Sequence, residues 1–357
     1  KKDFSPLEKR VLSQMPVFSI QDELNVKIKS KFSEKFDTYL SDQFFGRNTW
    51  VGINSYYELY TGRNGLHDVY AGKDGYLLEK PTEVTQDNQT YIDNRINAIK
   101  DFAQTTGIKP ELMIVPSTGY LMPQVLPANT IKYQDAQIIK DITDKLGDSV
   151  NFIDLAPILK EKSAAEQIFY KTDHHWTSLG AFTAYQEYCK SKSIIPLDSD
   201  SFTKTKIEGF YGTTYSRSAL WLKKPDTIEL WQGPAALKIN ILKVSATDTE
   251  QESDSPFFMD YIDKPDKYPV FLDSNHGLVK ISNTTSKGGK LLLIKDSFGN
   301  CLAPFLAQNY SEIYIIDLRA YKKMDIAQLV KQEGIDNVLV LYCIDQFVND
   351  TNGVWLK

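Results

Sequence analysis

Two of the chain's four histidines stand side by side in KTDHHWTSLGAF, residues 171–182, between an aspartate and a tryptophan. Asp173 and His175 are two positions apart, just after a strand-like IFY at 168–170. On extended backbone they point to the same side, and in a turn the carboxylate still reaches an imidazole two residues on. A carboxylate that accepts from one ring nitrogen fixes the tautomer and leaves the other nitrogen free as a base. Trp176 could pack under that imidazole, with His174 directed elsewhere for packing or substrate contact. The same residues allow two other readings. Both histidines can be structural, with the tryptophan in the core. Asp173, His174 and His175 can also be metal ligands, but adjacent histidines rarely converge on one ion and no partner cluster accompanies them, so no metal is expected.

A second stretch, LLLIKDSFGNCLAPFL at 291–306, offers the complementary group. A buried strand ends, Lys295 and Asp296 form a tight turn, and Ser297 opens a helix. The hydroxyl is then exposed at a strand end, beside the unpaired first-turn amides and the positive end of the helix dipole. That is a setting for developing negative charge. The alternative is that Asp296 or Ser297 merely caps the helix. Taken together, the two stretches supply nucleophile, base and orienter in Ser297, His175 and Asp173. The order Asp, His, Ser is acceptable, because such triads are defined by geometry and not by chain order.

The elements that must position these residues alternate. Strand-like runs fall at 112–116, 151–155, 168–170, 291–294, 313–317 and 338–342. Helical patterns fall at 91–105, 133–146, 157–167, 178–190, 298–308 and 324–333. Apolar runs alternating with helices predict an α/β fold with a mostly parallel sheet and helices on both faces. Active sites of such sheets lie at the carboxyl ends of strands. We expect one domain over 1–357. Its N-terminal helical and hairpin region covers 1–90, with an amphipathic helix in the later part of 21–44 and a hairpin at 69–79 turning on Gly75. An inserted mixed or β region, cap-like, covers 207–282, and the acidic stretch 245–256 is expected as a mobile loop.

Composition excludes several classes. The 357 residues carry a net charge of −5 with no long basic run, so no nucleic-acid partner is expected. The longest apolar runs are strand-length, far short of the ~20 residues of a membrane span. No secretion signal is visible, and a chain beginning KKDFSPLEKR leaves a lost leader or anchor open. Three scattered cysteines, Cys189, Cys301 and Cys343, form no metal spacing or disulfide framework and are expected as buried thiols. Cys301, four residues past Ser297, is the candidate for a rival thiol mechanism.

The TDHHW stretch before a helix, the strand ending in KDSFGN, and IIDLRAY together resemble the DHHW family of bacterial proteins. That family is related to the SGNH-hydrolase-like proteins of alginate O-acetylation. FFGRNTW, VYAGKDGYLLE, IVPSTGYLMPQVLP, GFYGTTYSRSALW and DKYPVFLDSNHGLVKI extend the resemblance through most of the chain. It implies an SGNH-hydrolase-like fold, with Asp173 and His175 as the Asp-x-His pair and Ser297 as the serine. It also implies cofactor-free acetyl transfer to, or acetyl-ester hydrolysis on, a bacterial extracellular polysaccharide. The work would be done outside the cytoplasm, at the cell surface or secreted, beside a membrane-bound O-acyltransferase partner. Lys295 replaces the usual glycine, and its side chain either narrows the mouth of the site or points to solvent. Asn275 and Asn300 are the oxyanion candidates. Arg319 either binds an oxyanion or sugar hydroxyl, or pairs with Asp317 or Asp296. Tyr120, Tyr211, Tyr215 and Trp221 are sugar-contact candidates that could equally be packing residues. The alternative from another class is a non-catalytic glycan-binding or scaffold protein.

Overall fold

In the computed structural model, residues 2–25, 30–244, 249–321 and 325–356 are described. Eight strands form the main sheet: β1 Glu111–Val115, β2 Asn151–Phe152, β3 Leu237–Leu242, β4 Gln251–Ser253, β5 Leu278–Asn283, β6 Lys290–Lys295, β7 Glu312–Ile316 and β8 Asn337–Cys343. Their order is β4-β3-β5-β7-β6-β8-β1-β2. From β7 to β2 every pairing is parallel, whereas β5 runs antiparallel to β7 and β3, and β4 antiparallel to β3.

The long parallel strands β1, β6, β7 and β8 are near-continuous apolar runs because both faces are covered, with polar residues such as Glu111, Lys290, Lys295, Glu312 and Asn337 at their ends. In β6, Leu291 to Ile294 are all fully buried, each contributing roughly 1.5–3 kcal/mol relative to exposure. Successive side chains enter opposite layers. Leu291, Leu293, Leu339 and Leu341 join one apolar cluster, and Leu292, Ile294, Val338 and Val340 join the other. The helices Ser178–Ser191 and Phe298–Leu306 cover the first face. Gln86–Thr106, Asp135–Leu146, Ile326–Glu333 and Ile344–Asn349 cover the second. Local signals set their limits. Thr85 accepts from Asn88 N at the start of Gln86–Thr106, and Gly107, at φ 69°, ends it with its N–H on Ala103 O.

The region 207–282 is only partly a cap. Thr203–Phe210 and Asp226–Gln232 pair in a separate two-stranded sheet, but β3, β4 and β5 extend the main sheet. β3, and β5 from Val279 on, alternate buried with exposed or half-buried residues, as strands with one covered face do. Of the stretch expected as a mobile loop, residues 245–248 lie outside the described residues and Gln251–Ser253 is the edge strand β4. Residues 168–170 do not form a sheet strand; Phe169 makes a single antiparallel bridge to Trp176.

In the N-terminal region the hairpin Val69–Ala71 and Leu77–Glu79 turns through Asp74 and Gly75, both at positive φ. The expected amphipathic helix is Phe32–Gln43, yet its one buried residue is Asp42, while Phe32, Phe36 and Tyr39 lie against one another on its surface. The helix Arg47–Tyr60 was not anticipated from sequence. Among the described residues no helix is long and apolar enough to cross a membrane.

Candidate active site

The bridge Phe169–Trp176 pinches residues 171–175 into a tight loop. Tyr170 N donates to His175 O at 3.2 Å and Thr177 N to Ile168 O at 2.8 Å. Asp226 clamps this loop from outside. Its Oδ2 accepts from Thr172 N and Oγ1 at 2.8 and 2.6 Å, and its Oδ1 from Lys171 N and Gln167 Nε2 at 3.0 and 2.9 Å. The N-terminal hairpin is tied in by Leu77 N on Lys171 O at 2.7 Å.

Within the loop, Asp173 Oδ1 accepts from His175 N at 3.0 Å and Nδ1 at 2.5 Å, so the backbone turns. The other oxygen, Oδ2, accepts from Thr213 N at 2.6 Å and Thr213 Oγ1 at 3.0 Å. Burial alone would raise the pKa of Asp173. The two histidines and these hydrogen bonds outweigh it and hold the carboxylate well below its usual range. Gly212 permits this approach, since a Cβ there would lie 2.1 Å from Asp173 Cβ.

His175 Nε2 lies 2.7 Å from Ser297 Oγ. With Nδ1 on Asp173, the Nε2 face is the basic one. Burial and the neighbouring charge of His174 push the His175 pKa below its ordinary 6.5, against the opposing pull of Asp173. Trp176 does not pack under this ring. Tyr268 stacks on it instead, with centroids 3.9 Å apart and planes within 12°. Trp176 lies edge-on to Phe298 and donates to its carbonyl at 3.2 Å. Nor is His174 directed elsewhere. Its ring lies 3.9 Å from that of His175, and its Nδ1 is 2.6 Å from Thr213 Oγ1. Because the Thr213 hydroxyl donates to Asp173, it accepts from His174. Burial lowers the pKa of His174, but Asp173, Glu79 and Asp296 outweigh burial and raise it. Donor atoms of Asp173, His174 and His175 all lie within 4.8 Å of one another. Both oxygens of Asp173 and both nitrogens of His175 are already engaged by protein groups, however, so as a metal-ligand set it is largely spoken for.

At the other stretch the two sequence readings divide between neighbours. Asp296 takes the structural role: Oδ1 accepts from Phe298 N at 2.9 Å and Oδ2 from Cys343 N at 2.7 Å, tying β6 to β8. Ser297 makes no capping bond and is free to face His175. The Tyr268 hydroxyl donates to Ser297 O at 3.2 Å. The amides of Phe298, Gly299 and Asn300 are taken by Asp296 Oδ1, Asp296 O and Ser297 O. Ser297 N is the early amide left without an acceptor among the described residues.

The remaining candidates sort by geometry. Lys295 neither narrows the mouth nor points to solvent; it is 2% exposed and donates inward to Asn275 Oδ1 at 2.7 Å. Gly299 makes room for its stem, as a Cβ there would sit 2.6 Å from Lys295 Cβ. Burial brings its pKa down to about 8 despite Asp317. Asn300 is buried and donates to the same Asn275 oxygen at 3.2 Å. Arg319 binds Asp317 through Nε at 2.9 Å and Nη2 at 2.6 Å, with Nη1 on Gln346, so its guanidinium is an ion-pair partner of Asp317 and not of Asp296. Tyr215 is buried between Tyr211 and Trp221, a packing role. All three cysteines are free, and burial raises the Cys301 thiol to about 12, so it is not a thiolate at neutral pH.

A cleft of about 530 Å³ borders Asp173, His174 and Phe298 and continues past Glu79, Arg217 and Asp345. Glu79 and Arg217 pair across it at 2.5 Å. Asp345 turns Oδ1 to Thr82 and Asn349, leaving Oδ2 open.

Comparison with known proteins shows which sequences and folds the chain resembles. Residues 113–316 match the family described as DHHW protein. Curated relatives include the probable alginate O-acetylase AlgJ of Pseudomonas syringae pv. tomato, 29% identical over 180 residues, covering 48% of this chain and 44% of the relative. The protein of the same name from Pseudomonas aeruginosa is 25% identical over 182 residues, covering 49% and 46%. The chain thus spans about half the length of the curated relatives it matches. Among solved structures, a DHHW family protein from Eubacterium siraeum superposes with a TM-score of 0.66 at 25% identity, covering 80% of this chain and 93% of that one. Bacillus cereus PatB1 shares the fold, with a TM-score of 0.64 at 21% identity over 78% and 97%. The α/β class expected from the sequence, a mostly parallel sheet with helices on both faces, is the class observed. With more than half its length matched, the chain belongs to the DHHW family.

Proposed function

We infer that this protein is a serine-dependent O-acetyltransferase or acetylesterase acting on a bacterial polysaccharide outside the cytoplasm. The observation that carries the reading is the continuous chain from Asp173 Oδ1 through His175 to Ser297 Oγ, with links of 2.5 and 2.7 Å. Relatives named as alginate O-acetylases support acetyl chemistry on a polysaccharide. A membrane-bound O-acyltransferase supplying the acetyl group fits the same reading.

Ser297 Oγ attacks the carbonyl carbon of an acetyl donor while its proton passes to His175 Nε2. Asp173 stabilises the imidazolium that forms. The oxyanion takes hydrogen bonds from the Ser297 amide and the Asn275 side-chain NH₂. Collapse breaks the bond to the donor's leaving oxygen, which receives the proton from Nε2 and leaves an acetyl ester on Ser297. A hydroxyl of the acceptor sugar, or water, then gives its proton to His175 and attacks that ester. The second collapse returns the proton to Ser297 and releases the acetylated sugar or acetate. General-base help contributes typically ~10²–10⁴ in rate.

The test is release of nitrophenol from nitrophenyl acetate by wild type and Ser297→Ala. Turnover by wild type with the variant at background is expected. Equal activity in both would overturn the assignment of Ser297.

A further inference from the structure

Lys295 stands two residues before Ser297, and Asn300 three residues after it. Both donate to one atom, Asn275 Oδ1, at 2.7 and 3.2 Å. A protonated lysine only donates. The Asn275 amide therefore has one allowed orientation, since a flip would set its NH₂ against two donors. Its oxygen faces inward and its NH₂ is left outward, with no partner among the described residues.

The position of Lys295 is costly in stability terms. An ammonium taken out of water is penalised unless a counter-charge meets it closely. The nearest carboxylate, Asp317, is 3.9 Å away and already holds Arg319 through both oxygens. A residue serving packing alone would be better apolar here. The helix start meanwhile offers a single unclaimed amide, that of Ser297, where an oxyanion ordinarily needs a second donor.

We propose that Lys295 is a positioning residue that locks the Asn275 side-chain amide with its NH₂ toward the oxyanion formed at Ser297. The proposal rests on the reading of Ser297 as nucleophile. Lys295 touches no reacting atom and acts through Asn275.

The experiment compares kcat and KM for nitrophenyl acetate among wild type, Ser297→Ala, Lys295→Met, Asn275→Asp and Lys295→Met/Asn275→Asp. Asn275→Asp keeps acceptors for Lys295 and Asn300 but removes the N–H donor. It should lower kcat by ~10²–10³ with KM little changed, the cost of one oxyanion donor. Lys295→Met should lower kcat at least ~10-fold, and the double variant should be no slower than Asn275→Asp alone, since residues acting as a unit are not additive. A second readout needs only wild type and Asn275→Asp. As Lys295 loses its proton near its pKa of about 8, it becomes able to accept as well as donate and only Asn300 still requires the oxygen to face inward. The orientation is then held less tightly, so kcat of wild type falls there, and that limb is missing in Asn275→Asp. Wild-type kcat in Lys295→Met, multiplicative losses in the double variant, or an alkaline limb that survives in Asn275→Asp would each overturn the proposal. Turnover by Ser297→Ala would instead overturn the nucleophile assignment beneath it.

Discussion

Tyr268 lies face to face with His175, 3.9 Å between ring centroids, and its hydroxyl donates to the carbonyl of Ser297. One side chain thus braces both the base and the residue it serves. A flat partner prevents the imidazole from swinging off the Asp173–Ser297 line, and a misplacement of about 1 Å costs on the order of 10²-fold in rate. Tyr268→Leu should therefore lower kcat by roughly 10- to 100-fold, within that limit. Tyr268→Phe, which keeps the plane and loses one hydrogen bond, should stay within a few-fold of wild type. Esterase kinetics on the two variants checks this, and equal losses would show that the hydroxyl and not the ring matters.

The pH profile follows from the surroundings of His175. The base must be neutral to accept the Ser297 proton, so activity rises as pH climbs through its pKa. Burial and His174 push that pKa down. The acid limb of kcat/KM should therefore have its midpoint below the reference value of ~6.5. His174→Gln removes the cationic neighbour and should move the midpoint up. A midpoint above the reference value in wild type, or a shift downward in the variant, would contradict this electrostatic account.

Much of this arrangement was legible in the sequence, and the reasons are physical. Strands buried on both faces carry near-continuous apolar runs, so β1, β6, β7 and β8 announced themselves. The serine after β6 and the Asp-x-His spacing are local, and local geometry is what a sequence carries. What escaped were partners brought from afar. Thr213 and Asp226 are ordinary residue types whose bonds to Asp173 and Thr172 span 40 and 54 positions. Tyr268 reaches His175 from a single 3-10 turn, Tyr268–Val270, too short to give a periodic signal. The direction of Lys295 depended on Asn275, 20 residues away on another loop. The antiparallel strands β3 and β5 read as a cap because their alternating burial is the mark of a strand with one covered face, and nothing local says which sheet it joins.

Gly212 offers a steric test of the same geometry. Its φ is ordinary, so the requirement is space and not backbone freedom. An alanine Cβ would meet Asp173 Cβ at 2.1 Å and its Oδ2 at 2.4 Å. Gly212→Ala should displace the carboxylate, break its contact with Thr213, and lower kcat by on the order of 10²-fold or more. Circular dichroism should report a folded protein. Wild-type kcat would mean that Asp173 does not need its present position.

Lys295 makes a stability prediction separate from its role in turnover. Its folded pKa of about 8 lies below the unfolded value of ~10.4. Between those values the unfolded chain binds more protons, so stability rises with pH across that window and is at its lowest, on this account, below pH ~8. The size is on the order of 3 kcal/mol. Lys295→Met should remove that slope and melt no lower than wild type at neutral pH, even as kcat falls. Chemical denaturation at several pH values checks the slope, and a strongly destabilised Lys295→Met would contradict it.

The cleft beside the triad carries its own expectation about the acceptor. Four carboxylates, Asp68, Glu79, Glu83 and Asp345, line it against two permanent cations, Lys80 and Arg217, a balance of 2 − 4 = −2. Asp173 and His174, which also line it, are opposite in sign when His174 is protonated and leave that balance unchanged. The two cations are already paired, Lys80 with Asp68 and Arg217 with Glu79. A polyanionic acceptor thus finds no unpaired cation among those charges and meets a repulsive field, whereas a neutral sugar meets open acceptors such as Asp345 Oδ2. Neutral oligosaccharides should therefore be acetylated faster than uronate oligomers of equal length. Exposed charges are screened over about 10 Å at 0.1 M salt and about 30 Å at 0.01 M. The preference should be largest at low ionic strength and shrink as salt is added. Glu83→Gln together with Asp345→Asn should narrow it at any salt. Transfer assays with the two acceptor classes, run on one acetyl donor, decide the matter. A uronate oligomer acetylated as fast as the neutral one at low salt would show that the cleft does not select acceptors by charge.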